Sequence, residues 1–157
     1  MSTVHLASYT GTHEGWAGWV NRGIRWLDKT PYSHTEICLN NPLTQVTTCL
    51  SSSGVDHGVR AKDMQLNPDK WAVLPLPWIT AGQVMAHFMA TRGQGYDYWG
   101  VGRFGLPFLM REHPTRWFCS EWCATAMGIQ EGWRLSPAGL HLTALALTRQ
   151  HARQQAQ

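Results

Sequence analysis

The sequence contains few charged residues and no long apolar run. Charged side chains make up 15% of the 157 residues and hydrophobic side chains 43%, a balance typical of globular proteins and not of disordered ones. The net charge is only +3 and the basic residues are scattered, so we expect no nucleic-acid partner. No stretch approaches the run of about 18 apolar residues that a membrane span needs, so we expect no transmembrane segment.

The sequence also lacks the pattern of a secretory signal, which is a basic segment followed by an apolar run. We therefore expect a cytoplasmic protein in which Cys38, Cys49, Cys119 and Cys123 are free thiols. Structural zinc sites take two close pairs of ligands, and Cys119 with Cys123 provides one such pair without a second. The glycine-rich segments lack the lysine of a phosphate-binding loop. We expect neither a metal nor a cofactor, and a zinc-stabilised module is a disfavoured alternative.

Periodic patterns predict an α+β fold, with an antiparallel sheet of about four to six strands packed against helices. The predicted strands cover residues 4–9, 33–39, 46–50, 55–60 and 71–74. Apolar residues at helical spacing predict a helix over residues 12–27 and further helices that begin near Thr80, Cys119 and Ser136.

The connections between these elements show no linker and no internal repeat. Residues 51–54, three serines and a glycine, predict a turn, and residues 93–116 predict a long irregular segment. We therefore assign residues 1–150 to a single domain and residues 151–157 to a polar tail that frays.

Cys119 lies at the start of a predicted helix, in Phe118-Cys119-Ser120-Glu121. The unpaired N–H groups and the dipole of a helix N-terminus stabilise a thiolate, which is the nucleophilic form of cysteine. The alternative is a small buried hydrophobic residue, which is common for cysteine. Cys123 lies one turn further along the same helix and is predicted to be structural.

Residues 33–39 alternate along a predicted strand, with His34, Glu36 and Cys38 on one face and Thr35, Ile37 and Leu39 on the other. The carboxylate of Glu36 can therefore hold the ring of His34 or line the same pocket. The alternative is a half-exposed strand whose polar face meets water. The presence of Cys119 further along the chain favours a thiol–imidazole pair.

Three short motifs together point to a family: Tyr32 to Ile37, Gly95 to Gly100, and Trp117 to Glu121. In this order, with the histidine before the cysteine, the chain resembles the circularly permuted branch of the NlpC-type papain-like cysteine hydrolases. That branch is called YiiX/YebB-like and is related to lecithin–retinol acyltransferase. The resemblance extends to small proteins that are frequent in phage and prophage genomes, and it implies a papain-like fold.

The resemblance implies a nucleophile in Cys119 and a general base in His34. Glu36 is implied as the third catalytic residue, with His57 or Asp56, on a later strand, as alternatives. Tyr96, Ser120 and Ser33 are implied to shape the oxyanion site or to contact the substrate, which in relatives is a peptide, a peptidoglycan fragment or an acyl amide. A catalytically silent binding protein or phage structural protein that retains the fold is the second hypothesis.

Overall fold

A computed structural model gives the structure of residues 3–11, 30–41, 43–44, 46–98 and 115–156. The helix predicted over residues 12–27 and most of the predicted irregular segment lie outside these ranges. Among the described residues, no helix is both long enough and apolar enough to cross a bilayer.

A single sheet organises the described part of the chain. Its strands are β1 (Thr3–Tyr9), β2 (His34–Asn40), β3 (Thr47–Ser53), β4 (Gly58–Asp63), β5 (Trp71–Pro75), β6 (Gly95–Tyr96) and β7 (Arg116–Trp117). The strand order is β5-β1-β2-β3-β4-β6-β7. Neighbouring strands run antiparallel except for β6 and β7, which are parallel.

The predicted α+β class is confirmed, but the sheet is larger than expected and is mixed. It has seven strands instead of four to six, because β6 and β7 complete one edge. These two strands have two residues each, which is too short for an alternating pattern to show in the sequence.

The predicted turn at residues 51–54 is wrong, because β3 continues through Ser53 and the turn follows at residues 54–57. The serine hydroxyls explain the difference. Ser51 donates to the carbonyl oxygen of Thr35 over 2.7 Å, and Ser52 donates to that of Trp117 over 2.8 Å. These serines can lie in a buried strand because their hydroxyls donate to backbone carbonyl oxygens of β2 and β7. The following strand consequently starts at Gly58, three residues later than predicted.

Within the described ranges, three α-helices pack beside the sheet: α1 (Ala81–Thr91), α2 (Cys119–Ala126) and α3 (Pro137–Gln155). Thr80 and Gln83 form the predicted capping box of α1, and the Ser136 hydroxyl accepts from the Gly139 N–H at the start of α3. The segment predicted as a fraying tail continues α3 to Gln155, with mostly exposed side chains.

Both faces of the central strands are covered. On one face, Leu6, Ile37 and Leu50 join the main core beneath Trp122 and Leu140 of the helices. On the other face, a smaller cluster of Ala7, Cys38 and Cys49 is covered by Met64, Leu66 and Trp71. The central strand β2 therefore lies in a largely dry environment, and polar side chains on it need partners within the protein.

Candidate active site

Cys119 occupies the first position of α2, as the sequence predicts. Phe118 has an extended backbone and precedes the helix, and its N–H donates to the Glu121 carboxylate over 3.3 Å. This contact folds the chain back at the helix start. The N–H of Cys119 then lies where no intrahelical acceptor exists, which is the position of an anion donor. The Cys119 side chain is only 1% exposed.

Side-chain contacts fix α2 against the sheet and against α1. The Trp122 indole donates to the Thr91 hydroxyl over 2.9 Å, and the Cys123 thiol donates to the Thr35 carbonyl oxygen over 3.5 Å. Both tryptophan and cysteine are fully buried. The second contact ties α2 to the residue that follows His34, so the start of the helix is held near the start of β2.

His34 is the first residue of β2, and its side chain is 20% exposed. Its ring lies close enough to the Cys119 side chain for the two groups to interact, and its Nε2 hydrogen bonds to Glu36 Oε1 over 3.2 Å. Trp71 lies edge-on to the ring with a centroid separation of 6.4 Å. The structure thus brings together the thiol, the imidazole and the carboxylate that the sequence singled out.

The electrostatics of the site favour ionised groups. Burial would lower the pKa of His34, but the nearby charge of Cys119 and the hydrogen-bonded Glu36 carboxylate raise it to about 10. Burial would raise the pKa of Glu36, but hydrogen bonds from Arg60 and His34 lower it to about 2. The imidazole therefore holds a proton at neutral pH, next to a carboxylate that stays charged.

Arg60 is the principal partner of Glu36. Its guanidinium donates from Nη2 to Glu36 Oε1 over 2.7 Å and from Nη1 to Oε2 over 2.8 Å. On its other side, Arg60 Nε donates to Asp56 Oδ2 over 2.9 Å. A continuous chain of contacts therefore runs from the buried thiol through His34, Glu36 and Arg60 to Asp56, whose side chain is 32% exposed.

Asp56 and His57, the alternative candidates for the third catalytic position, make different contacts. Asp56 reaches the site through Arg60. His57 adopts a left-handed backbone with φ of 62°, and its Nδ1 bonds to the Tyr98 hydroxyl over 2.9 Å at an exposed position. Glu36 is thus the candidate whose contact with the His34 ring the structure describes.

The three residues implied in substrate or oxyanion binding lie in different settings. Tyr96 is buried, with its ring 5.9 Å from that of Phe118. Burial raises the pKa of Tyr96, and the nearby charge of Cys119 adds to this effect, so its hydroxyl stays protonated. Ser120 donates its hydroxyl to the Leu135 carbonyl oxygen, inside the protein. Ser33 is buried, and its N–H donates to the Tyr9 carbonyl oxygen over 3.0 Å.

The remaining cysteines are buried beside the site. Cys38 and Cys49 face each other on β2 and β3, with sulfur atoms 2.7 Å apart. The contact with Cys49 and burial raise the pKa of Cys38, and burial raises that of Cys123, so both stay neutral thiols. In the parts of the chain described above, no group of three or more potential metal ligands comes together.

Two neighbours of the site, Arg60 and Trp71, were not identified from the sequence. Arg60 reaches Glu36 across the intervening strand β3, so the contact depends on the register of three strands. The available signal was general: a buried carboxylate requires a cationic partner. Trp71 showed only as part of an apolar run.

Comparison of the sequence with models of known protein families gives no match, and comparison with curated proteins gives none either.

Proposed function

We propose that the protein is a thiol-dependent hydrolase that cleaves an amide bond, in a peptide or an acyl amide, through a thioester on Cys119. The observation that supports this most directly is the chain of contacts from Cys119 through His34 to Glu36. A thiol beside an imidazole that is oriented by a third group is the arrangement of nucleophilic cysteine catalysis. The resemblance to permuted NlpC-type papain-like hydrolases proposes the same roles and a papain-like fold.

The first half of the reaction forms a bond to sulfur. The Glu36 carboxylate only accepts hydrogen bonds, so His34 Nε2 carries one proton, and Nδ1 holds the proton that Cys119 has given up in the resting ion pair. The thiolate attacks the carbonyl carbon, and the negative charge moves to the carbonyl oxygen. The Cys119 N–H at the helix start and the protonated Tyr96 hydroxyl are the proposed donors to that oxygen.

The second half releases the two products. His34 gives its proton to the amine nitrogen as the carbon–nitrogen bond breaks, which leaves the acyl group on sulfur. Water then gives a proton to His34 and attacks the thioester, and the carboxylic acid leaves as the carbon–sulfur bond breaks. Because this cycle requires protonated His34, hydrolysis should decline as the pH rises through about 10.

The test is a screen of peptidoglycan stem peptides, N-acyl amides and acyl thioesters, with mass spectrometry of the intact protein and of its Cys119 peptide. The proposal predicts turnover of one class and an acyl adduct on Cys119. Cys119→Ala should abolish both. Cys123→Ser, which removes a buried thiol one turn along the same helix but keeps a donor toward the Thr35 carbonyl oxygen, is the matched control and should retain both. The absence of turnover and adduct in every class with folded protein would contradict the proposal.

A binding or phage structural protein without turnover is the second candidate. The observation that favours it is the burial of Cys119, whose side chain is 1% exposed. This candidate predicts that Cys119→Ala leaves thermal stability intact and that the wild-type protein is inert toward every amide and thioester in the screen. The two candidates therefore differ in two readouts, turnover and the adduct on Cys119.

A further inference from the structure

The contact between Arg60 and Glu36 is built as a fork. Two guanidinium nitrogens meet the two carboxylate oxygens at 2.7 and 2.8 Å, which is the strongest geometry for this pair. Both side chains are well covered, with 16% of Arg60 and 2% of Glu36 exposed. An ion pair in this environment is far less screened than one on the surface.

Arg60 is itself held from two further directions. Asp56 accepts from its Nε over 2.9 Å, and the Cys49 carbonyl oxygen lies 3.4 Å from its Nη1. The guanidinium therefore has a fixed position between the backbone of β3 and the turn before β4. A side chain held in this way can orient the carboxylate that it contacts.

Oxygen Oε1 of Glu36 links Arg60 to the proposed catalytic pair, because it also accepts from His34 Nε2 over 3.2 Å. Without the guanidinium, burial would favour the neutral acid, which places no negative charge opposite the imidazolium. The pair of Cys119 thiolate and His34 imidazolium would then lose part of its support.

We propose that Arg60 is a positioning residue for the Cys119–His34 pair, acting through Glu36, whose carboxylate it keeps ionised and oriented toward the His34 ring. This inference rests on the proposed function, since it assigns a role relative to those two residues. Arg60 does not contact the thiol or the imidazole in the contacts described, so it is not a catalytic residue.

The surrounding titratable groups do not obscure this role. Cys38 on β2 and Cys123 on α2 also feel the charge of Glu36, and both stay neutral thiols because their pKa values are raised. Asp56 and Lys62 lie on the outer side of Arg60, and the charges of Arg60 and Lys62 help to lower the pKa of Asp56. In the acid range, the loss of Arg60 should therefore raise the pKa of both Glu36 and Asp56, and a label at the glutamate carboxyls reports Glu36 separately from Asp56.

The test combines a direct and a functional readout in Arg60→Gln and Arg60→Lys. In protein labelled with carbon-13 at the glutamate carboxyls, the Glu36 signal, identified by its loss in Glu36→Gln, should titrate about one to two pH units higher in Arg60→Gln. The rate at which iodoacetamide labels Cys119 should fall several-fold relative to wild type at about pH 3, where Glu36 is largely protonated in the variant and still ionised in wild type, and less near neutral pH. Arg60→Lys keeps the positive charge but cannot donate to both carboxylate oxygens in a fork. In this variant, Glu36 should stay ionised and the labelling rate of Cys119 should be partly reduced.

Two controls separate this role from a general structural one. Arg134→Gln removes an exposed arginine from a glutamate partner elsewhere in the protein and should leave both readouts unchanged. In a Glu36→Gln background, Arg60→Gln should have no further pH-dependent effect, because its route of action is missing.

The outcomes distinguish this inference from the proposed function. Suppose that folded Arg60→Gln matches wild type in the Glu36 titration and in the labelling rate of Cys119. If wild-type labelling is at the same time fast and dependent on His34, this result overturns the role of Arg60 and leaves the proposed function standing. If Cys119 is labelled slowly in wild type and at the same rate in His34→Ala, the proposed function is overturned instead. If Arg60→Gln does not fold, Arg60→Lys provides the test. A labelling rate of Cys119 in Arg60→Lys that equals the wild-type rate at every pH would contradict the orienting role.

Discussion

The four cysteines are almost equally buried, each with 1% exposure or less. Exposure therefore gives no ranking of their reactivity. What distinguishes Cys119 is its interaction with the His34 ring, whereas Cys123 donates to a backbone carbonyl and Cys38 faces Cys49. Chemical reactivity at this site should consequently follow the imidazole and not solvent access.

Glu36 should make stability depend on pH in the acid range. Its pKa is lowered from 4.5 to about 2, so its contribution is present above 4.5 and is lost as the pH falls through 2, an effect of about 3 kcal/mol. We predict that Glu36→Gln lowers the free energy of unfolding at neutral pH by about 3 kcal/mol, because Arg60 and His34 lose their counter-charge. Urea unfolding at several pH values measures this.

The difference between wild type and Glu36→Gln should shrink as the pH falls from 4.5 toward 2. Glu131→Gln is the matched control, since Glu131 pairs with Arg134 at an exposed position, and its effect should stay near zero at every pH. A constant difference between wild type and Glu36→Gln across the acid range would show that the Glu36 charge does not contribute in the way proposed.

The sequence located part of the site, and the reason lies in local patterns. Cys119 was visible because a helix start is a local feature, and Glu36 was visible because alternation on one strand places it beside His34. Arg60 was hidden because it meets Glu36 only after β3 pairs with both neighbouring strands. Contacts between strands depend on register, which a single sequence specifies weakly.

At the scale of elements, caps predicted the helices well. Thr80 with Gln83 and Ser136 with Pro137 mark the starts of α1 and α3 as the sequence indicates. Strand ends were harder to predict. The serines that end β3 resemble a turn in the sequence. Their hydroxyls donate to backbone carbonyl oxygens of β2 and β7, and these contacts are not visible in the sequence. The short strands β6 and β7 form only because residues distant in sequence meet there.

The junction of β4 with β6 should be sensitive to a single added methyl group. Gly58 has φ of +154°, and a Cβ at this position would lie 2.1 Å from the Gln94 carbonyl oxygen. That atom is backbone and accepts from the Val59 N–H over 2.9 Å, so it cannot move away cheaply. We predict that Gly58→Ala destabilises the protein by about 3 kcal/mol or more, measured by urea unfolding.

Gly93, just after α1, provides the comparison. Its φ of +80° also disfavours a side chain, but an added Cβ would meet nothing within 4 Å. Gly93→Ala should therefore cost only about 1 kcal/mol, from backbone strain alone. Equal costs for the two substitutions would mean that the close approach at Gly58 does not constrain the sheet.

At the scale of the whole molecule, the site requires a sheet and a helix that are far apart in the sequence. The sheet supplies His34, Glu36 and Arg60 from its central strands, and the helix supplies Cys119 once Trp122 and Cys123 are packed.

His34 adds a second limit on stability with pH. Its pKa is raised from 6.5 to about 10, so its contribution is complete below 6.5 and is lost as the pH rises through 10. The ion pairs of the site should stabilise the fold most between 4.5 and 6.5.

The most direct test of the central claim measures iodoacetamide labelling of each cysteine separately, by peptide mass spectrometry, in wild type and in His34→Ala near neutral pH. The account predicts that Cys119 reacts fastest in the wild type and that His34→Ala slows its labelling by about tenfold or more, while Cys38, Cys49 and Cys123 stay slow in both. Equal labelling of all four thiols, or labelling of Cys119 that is unchanged in folded His34→Ala, would contradict it.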